Sequence, residues 1–188
     1  MSPLEFYRVQ HDTSRVRYSS NTGFTSEKPL AGNSYSLRMS LDDDLIYEFE
    51  AHCNKHHVPT ALISMCSSAD LALERAHQEE RYGRTGVRIY KIYAGYKTYV
   101  GGGQPRIWNW YIDPFSAQEF AKRVQAKHKV KVIDEWNWEY LEDEYLVLNT
   151  IPRAAVAEAS WNVQQFEKCM YIPDIWISEV ENSTGVLS

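Results

Sequence analysis

The chain of 188 residues has few cysteines and no long apolar run. The first feature argues against a disulfide-rich protein and the second against a membrane-spanning one. Its three cysteines, Cys53, Cys66 and Cys169, are an odd number and show no metal-ligand spacing. We therefore expect reduced thiols rather than a disulfide framework. No apolar stretch approaches the length of a membrane span. Residues 1–7 lack a basic head followed by an apolar stretch, so no signal peptide is expected, although a secreted domain without its leader would look the same.

The chain also lacks a basic excess. Its 20 Lys and Arg residues stand against 25 Asp and Glu, a formal net charge of -5. This balance argues against a general nucleic-acid binder or a membrane-surface protein, which would carry a positive field. With 44% hydrophobic residues, the chain can build a sizeable core. The length fits one domain spanning residues 1–188, with a polar tail at 181–188.

Three histidines, His52, His56 and His57, raise the question of a zinc site. No cysteine pair or neighbouring His and carboxylate cluster completes a tetrahedral ligand set. We therefore expect no metal, and surface or loop positions for these side chains.

Apolar periodicity predicts an α+β fold, with helices early and most strands later. Cap residues place one helix over about 41–55, a second from Ser67 to about Arg81, and a third after Ser116. Strands are predicted at 4–9, 60–65, 87–94, 129–133, 170–172 and 175–180, together with an apolar strand headed by Glu142 and Glu144.

The two glutamates Glu142 and Glu144 are set one residue apart. In a strand, residues i and i+2 point to the same face, so both carboxylates would project side by side. Such a pair is either solvated charge or acid/base chemistry. Taken alone, solvated charge is the better interpretation, and the rest of the chain decides.

Three segments follow one another in a distinctive order: Phe6-Tyr7-Arg8 on the first strand, Ile63-Ser64-Met65-Cys66 before an alanine-rich helix, and Glu142-Asp143-Glu144 before a strand that ends in Ile151-Pro152. Gly23-Phe24 lies fifteen residues after the arginine. This order resembles the arginine–serine–glutamate class of mono-ADP-ribosyltransferases, the cholera-toxin-like group. Some fungal proteins share the layout, so the branch stays open. Residues 104–130 look like an insertion relative to compact members.

The resemblance implies a split fold of two facing, mainly antiparallel sheets around an NAD cleft, with helices in the N-terminal half. NAD would be the co-substrate, and no metal would be needed. Glu144 would stabilise the oxocarbenium-like cation and Ser64 would hydrogen-bond Glu144 to fix its rotamer, while Glu142 would orient or deprotonate an arginine acceptor. The implied NAD-binding residues are Arg8, Tyr7, Ser64, Cys66, Gly23 and Phe24. The implied target-recognition residues are Trp136, Trp138 and Tyr140.

Two positions depart from the pattern. Cys66 replaces the second serine of the family's Ser-Thr-Ser strand, and a thiol is a weak donor. Gln10 stands where the cholera-like toxins carry an acidic residue.

Several functions remain open from the sequence. The first is transfer of ADP-ribose to a protein arginine, with an activating protein as a further partner and no role for nucleic acid or membrane. The same fold could act as an NAD glycohydrolase, or as a degenerate binding module with no turnover. A small interaction domain of unrelated fold is the least favoured alternative. The expected location is the cytoplasm of the producer, or of a host cell if the protein is a delivered, toxin-like effector.

Overall fold

The structure is a computed structural model, which describes residues 5–30, 43–54, 58–99, 105–129, 131–133 and 138–171. The α-helices are α1 (Asp43–Cys53), α2 (Ala69–Arg81), α3 (Ala117–His128) and α4 (Val163–Tyr171). The strands are β1 (Glu5–Gln10), β2 (Tyr18–Ser19), β3 (Gly23–Thr25), β4 (Leu62–Cys66), β5 (Arg88–Tyr93), β6 (Gly95–Tyr99), β7 (Pro105–Trp110), β8 (Phe115–Ser116), β9 (Glu144–Leu148), β10 (Thr150–Pro152) and β11 (Val156–Trp161). Short 3-10 helices cover Glu139–Leu141 and Arg153–Ala155.

The strands form antiparallel sheets. One sheet has six strands in the order β11-β5-β1-β4-β9-β8, a second has the order β10-β3-β2, and β6 pairs with β7 as a hairpin. The predicted α+β class with antiparallel sheets is confirmed. The helices are more evenly spread than predicted, because α3 and α4 lie in the C-terminal half.

The two larger sheets pack face to face through a shared apolar cluster. Phe24 and Ile151 from the three-stranded sheet meet Phe6, Ile63 and Ile92 from the six-stranded sheet. Alternate residues of β4 point to opposite faces, so its apolar run reflects burial on both sides.

The other face of the six-stranded sheet is covered by helices in two separate clusters. Leu45 of α1 and Phe120 of α3 pack with Leu146 of β9. Leu73 of α2 and Phe166 of α4 pack in the other cluster, which includes Ile89 of β5.

The six-stranded sheet is split between β1 and β4. These strands are registered at a single pair, Tyr7 opposite Cys66, whereas β1 and β5 are registered over all six residues of β1. Beyond that pair the two strands separate. The split divides the sheet into a β11-β5-β1 half and a β4-β9-β8 half.

Several predicted boundaries need correction. The N-cap of α2 is Ser68 rather than Ser67, although the helix ends at Arg81 as predicted. The predicted strand at 129–133 is wrong in its described part: Lys129 has a left-handed φ of 56° that closes α3, and residues 131–133 form no strand. Met170 belongs to α4, so the strand predicted at 170–172 is also wrong there. Residues 175–180 and 181–188 lie outside the described part.

The segment 104–130 supplies α3, whose Phe120 and Val124 are buried in the core. None of the helices described in the structure is long and apolar enough to cross a membrane.

Candidate functional site

Arg8 bridges the split between β1 and β4. Its Nη1 donates to the carbonyl of Ser64 at 2.6 Å, where a regular ladder would place a strand partner. Its Nη2 donates to the carbonyl of Val16 at 3.3 Å, and its Nε is buried without a hydrogen-bond partner in the described structure. Burial lowers the pKa of Arg8 to about 10, against the opposing effect of Glu144. The guanidinium therefore holds the two strands together at the site.

Gly23 and Phe24 support Arg8 from beneath. The guanidinium lies over the Phe24 ring at 5.3 Å. Gly23 has a φ of +84° and pairs with Pro152, and a Cβ there would lie 2.1 Å from the carbonyl oxygen of Ile151. These two predicted NAD-binding residues therefore contribute to the packing against which the Arg8 guanidinium lies.

Ser64 on β4 is bonded to a histidine that the sequence analysis did not assign to the site. His52 Nε2 is 2.6 Å from Ser64 Oγ, and its Nδ1 is 2.9 Å from Thr60 Oγ1. Burial lowers the pKa of His52, which keeps the ring neutral, so one ring nitrogen donates and the other accepts. We expected Ser64 to bond Glu144, but its hydroxyl contacts His52 instead.

A signal for His52 was present in the sequence. Leu45, Phe49 and Cys53 mark the buried stripe of α1, and Glu48 and His52 lie on the same side at i and i+4. Two polar residues inside a buried stripe need partners, and Ser64 is the partner of His52.

Glu144 opens β9 opposite Cys66 and has a side chain only 17% exposed. Its Oε1 lies 4.0 Å from His52 Nε2, and its Oε2 accepts from Arg75 Nη2 of α2 at 3.3 Å. One carboxylate thus faces a neutral imidazole on one side and a guanidinium on the other.

Glu142 is not on the strand. It caps the 3-10 helix Glu139–Leu141 with a helical backbone (φ -59°, ψ -46°), and it is exposed. The prediction that Glu142 and Glu144 share a strand face is therefore wrong, because β9 begins only at Glu144. The intervening Asp143 accepts from Ser67 Oγ at 3.1 Å, which ties this turn to the start of α2.

Two more predicted NAD-binding residues, Tyr7 and Cys66, close the sheet at its one β1–β4 pair. The Cys66 thiol donates to the Tyr7 carbonyl at 3.4 Å, and burial raises its pKa to about 11. Cys66 is therefore a neutral thiol at physiological pH and unsuited to nucleophilic chemistry. The Tyr7 ring packs edge-on against Phe166 of α4, with centroids 5.8 Å apart.

Two clefts meet at Arg8 and Ser64. The first, which we call the α2 cleft, has a volume of about 390 Å³ and lies between the strands and one face of α2. The second, of about 330 Å³, lies toward α1 and the 11–16 loop. The α2 cleft is lined by Tyr7, Arg8, Val9, His11, Ser64, Met65, Cys66, Arg75, Gln78, Glu79, Tyr82, Tyr140 and Glu144. Both clefts are lined by more polar than apolar surface.

Sequence comparison places the chain in a family. The model of the family described as "Domain of unknown function (DUF7587)" matches residues 1–166. The chain belongs to this family. Among solved structures, the DUF7587 chain is similar to EcPltA, at 13% identity and a TM-score of 0.49 over 82% of this chain and 73% of that one. No curated protein matches.

The aromatic residues predicted for target recognition behave differently in the DUF7587 chain. Tyr140 is 58% exposed and lines the α2 cleft. Trp138 is partly buried and packs against the core formed by α1 and α3, so it is not the exposed anchor we expected. Trp136 lies outside the described residues. The described part of the chain contains no group of three metal-ligating side chains, and His56 and His57 lie outside it.

Proposed function

We propose that this chain cleaves NAD and transfers ADP-ribose to an arginine side chain of a target protein. One observation carries the proposal: Arg8, Ser64 and Glu144, from three neighbouring strands, converge on the α2 cleft. Glu144 is the partly enclosed carboxylate that such a reaction requires.

The chemistry begins at the bond between the ribose and nicotinamide. As this bond breaks, nicotinamide leaves as a neutral base and positive charge develops on the ribose ring. The fixed Glu144 carboxylate stabilises that charge. Ser64 is held by neutral His52, so its hydroxyl has a defined orientation at the edge of the cleft.

The acceptor step forms a new bond between the ribose carbon and a nitrogen of the target arginine. That nitrogen loses a proton, and in this proposal the exposed Glu142 carboxylate accepts it. Tyr140 at the cleft rim supplies an aromatic contact for the target protein. A cytoplasm containing NAD, of the producer or of a host cell, is the setting we propose.

A second function, NAD hydrolysis with water as acceptor, is favoured by the position of Glu142. Glu142 lies in an exposed turn rather than beside Glu144 on the strand. Its carboxylate is therefore not fixed in a position that would align an arginine acceptor with the ribose carbon. Water needs no such positioning.

Nicotinamide release from NAD tests these functions, measured with and without agmatine as a soluble arginine mimic. We expect release that agmatine accelerates, with an ADP-ribosyl-agmatine product. Glu144→Gln should reduce release by about 100-fold or more, as expected for loss of a charge that stabilises the transition state. Glu142→Gln should keep release but lose the agmatine adduct.

The matched control is Glu139→Gln, which removes a carboxylate from the 3-10 helix that Glu142 caps. It should behave as the wild type. Normal release by Glu144→Gln would refute the NAD-cleaving function. Release that depends on Glu144 without any agmatine adduct would support the hydrolase.

A further inference from the structure

A second guanidinium reaches the proposed site from α2. Arg75 Nη2 contacts Glu144 Oε2 at 3.3 Å, and the Arg75 side chain is 28% exposed. Within the part of the chain that the structure describes, this is its one hydrogen bond. An arginine fork carries five N–H donors, so most of the Arg75 fork is available to a ligand in the α2 cleft.

Arg8 uses its guanidinium differently. Two of its nitrogens donate to the main-chain carbonyls of Ser64 and Val16, and its Nε is enclosed by protein. Releasing either carbonyl would leave a part-buried acceptor without a donor. The Arg8 guanidinium is therefore occupied by main-chain hydrogen bonds, and Arg75 is the guanidinium that can change its partner.

The present partner of Arg75 is the carboxylate that the reaction needs. A ribose entering the cleft must compete with Arg75 for Glu144. Breaking the Arg75–Glu144 ion pair costs the least free energy if the guanidinium contacts another anion at the same time. A pyrophosphate supplies that anion, because arginine binds phosphate oxygens in a bidentate manner.

We propose that Arg75 binds the pyrophosphate of NAD, and that donor binding exchanges the Arg75–Glu144 ion pair for an Arg75–pyrophosphate contact. This proposal rests on the function proposed above. It assigns α2 as the donor-binding wall of the cleft. Arg75, Gln78, Glu79 and Tyr82 follow the i, i+3, i+4, i+7 spacing of one helix face, and all of them line the α2 cleft.

Arg81 provides a matched control on the same helix. Its side chain is exposed and lines a separate groove with Glu80 and Glu167. Replacing Arg81 removes the same charge from α2 without touching the α2 cleft.

The test compares binding of ADP-ribose and of adenosine, which lacks phosphate, by titration calorimetry. For Arg75→Gln we expect ADP-ribose affinity to fall by about 10- to 100-fold, the range of a lost charge-assisted contact. Adenosine affinity should change less than about two-fold, since no phosphate contact is lost. Arg81→Gln should leave both unchanged. Arg75→Lys keeps the charge without the planar fork, so its ADP-ribose affinity should be intermediate.

Salt gives a second measurement. Wild-type affinity for ADP-ribose should fall as salt rises, and this dependence should be weaker in Arg75→Gln. Thermal unfolding of each variant establishes that it is folded before binding is compared.

Three results would overturn the proposal: no ADP-ribose binding by the wild type, equal loss of both ligands in Arg75→Gln, or unchanged or tighter ADP-ribose binding in that variant. The last would show that Arg75 only blocks Glu144. If ADP-ribose binds through Arg75 but nicotinamide is never released, the NAD-cleaving function fails and the binding role of Arg75 stands.

Discussion

At the scale of single residues, His52 shows how burial selects a protonation state. The ring is hydrogen-bonded on both sides, to Ser64 and to Thr60, and needs one nitrogen as an acceptor if the hydroxyl facing it donates. Burial lowers the pKa of His52, while Glu144 raises it by a smaller effect. The folded protein therefore binds fewer protons at His52 than the unfolded chain does.

This difference predicts the pH dependence of stability. Its contribution is fully present above the unfolded histidine pKa of about 6.5 and is lost as the pH falls toward the lower folded value. We expect His52→Gln to cost about 1 kcal/mol near neutral pH, from the lost hydrogen bond. The stability gap between wild type and variant should shrink from pH 7.5 to pH 5, as measured by denaturant unfolding.

His77→Gln is the matched comparison, because His77 lies on α2 with a side chain 43% exposed. Its effect on the free energy of unfolding should be small at both pH values. A gap for His52→Gln that widens toward pH 5 would contradict a neutral, buried imidazole.

At the scale of elements, two adjacent serines at the start of α2 have different roles. Ser68 has an extended backbone, and its side chain accepts from the amide of Leu71 at 3.3 Å. Ser67 donates to Asp143 instead. Ser68→Ala should lower the free energy of unfolding by about 1 kcal/mol, the usual cost of a lost N-cap.

Ser67→Ala should cost less, because its exposed hydrogen bond to Asp143 exchanges with water. Chemical denaturation of both variants measures the difference. The reverse order, with Ser67→Ala the more damaging, would show that the tie to the Asp143 turn stabilises the protein more than the cap does.

The sequence predicted elements whose signals are local. Ser116 caps α3 as predicted, because its side chain accepts from the Glu119 amide at 3.3 Å, and α2 ends at Arg81. β10 has only three residues, and the six residues of β11 (VAEASW) are mostly small or polar, so neither segment carried a clear strand signal. These strands form through pairing with β3 and β5. Met170 shows the opposite error: a short apolar run cannot distinguish strand from helix.

The candidate site was predictable only as a set of residues. Order along the chain singled out Arg8, Ser64 and Glu144, and the fold places all three at one cleft. Their contacts were not predictable, because the partners His52 and Arg75 come from helices whose orientation depends on tertiary packing. The turn that removes Glu142 from the strand also depends on its tie to α2.

At the scale of the whole molecule, the split sheet makes Arg8 a structural link as well as a site residue. The β11-β5-β1 half carries α2 and α4, and the β4-β9-β8 half carries α1 and α3. Between β1 and β4 the backbone pairs only at Tyr7 and Cys66. The Arg8 bond to the Ser64 carbonyl continues the connection across the gap.

Arg8→Met keeps an apolar stem but leaves the carbonyls of Ser64 and Val16 without their donor. We expect the free energy of unfolding to fall by about 2–4 kcal/mol, the cost of two part-buried acceptors left unpaired. Arg88→Met is the control, since Arg88 is exposed on β5 and its side chain donates to Ser160 Oγ at the long distance of 3.4 Å. Its effect should stay within about 0.5 kcal/mol.

Hydrogen exchange separates a local effect from a global one. If Arg8 joins the two halves, Arg8→Met should speed exchange of amides on both β1 and β4, while the β1–β5 ladder, with six registered pairs, keeps its protection. Faster exchange confined to the 11–16 loop would mean that the Val16 contact matters and the bridge to Ser64 does not. Unchanged exchange and stability would show that packing of Phe6 against Ile63 is enough to hold the halves together.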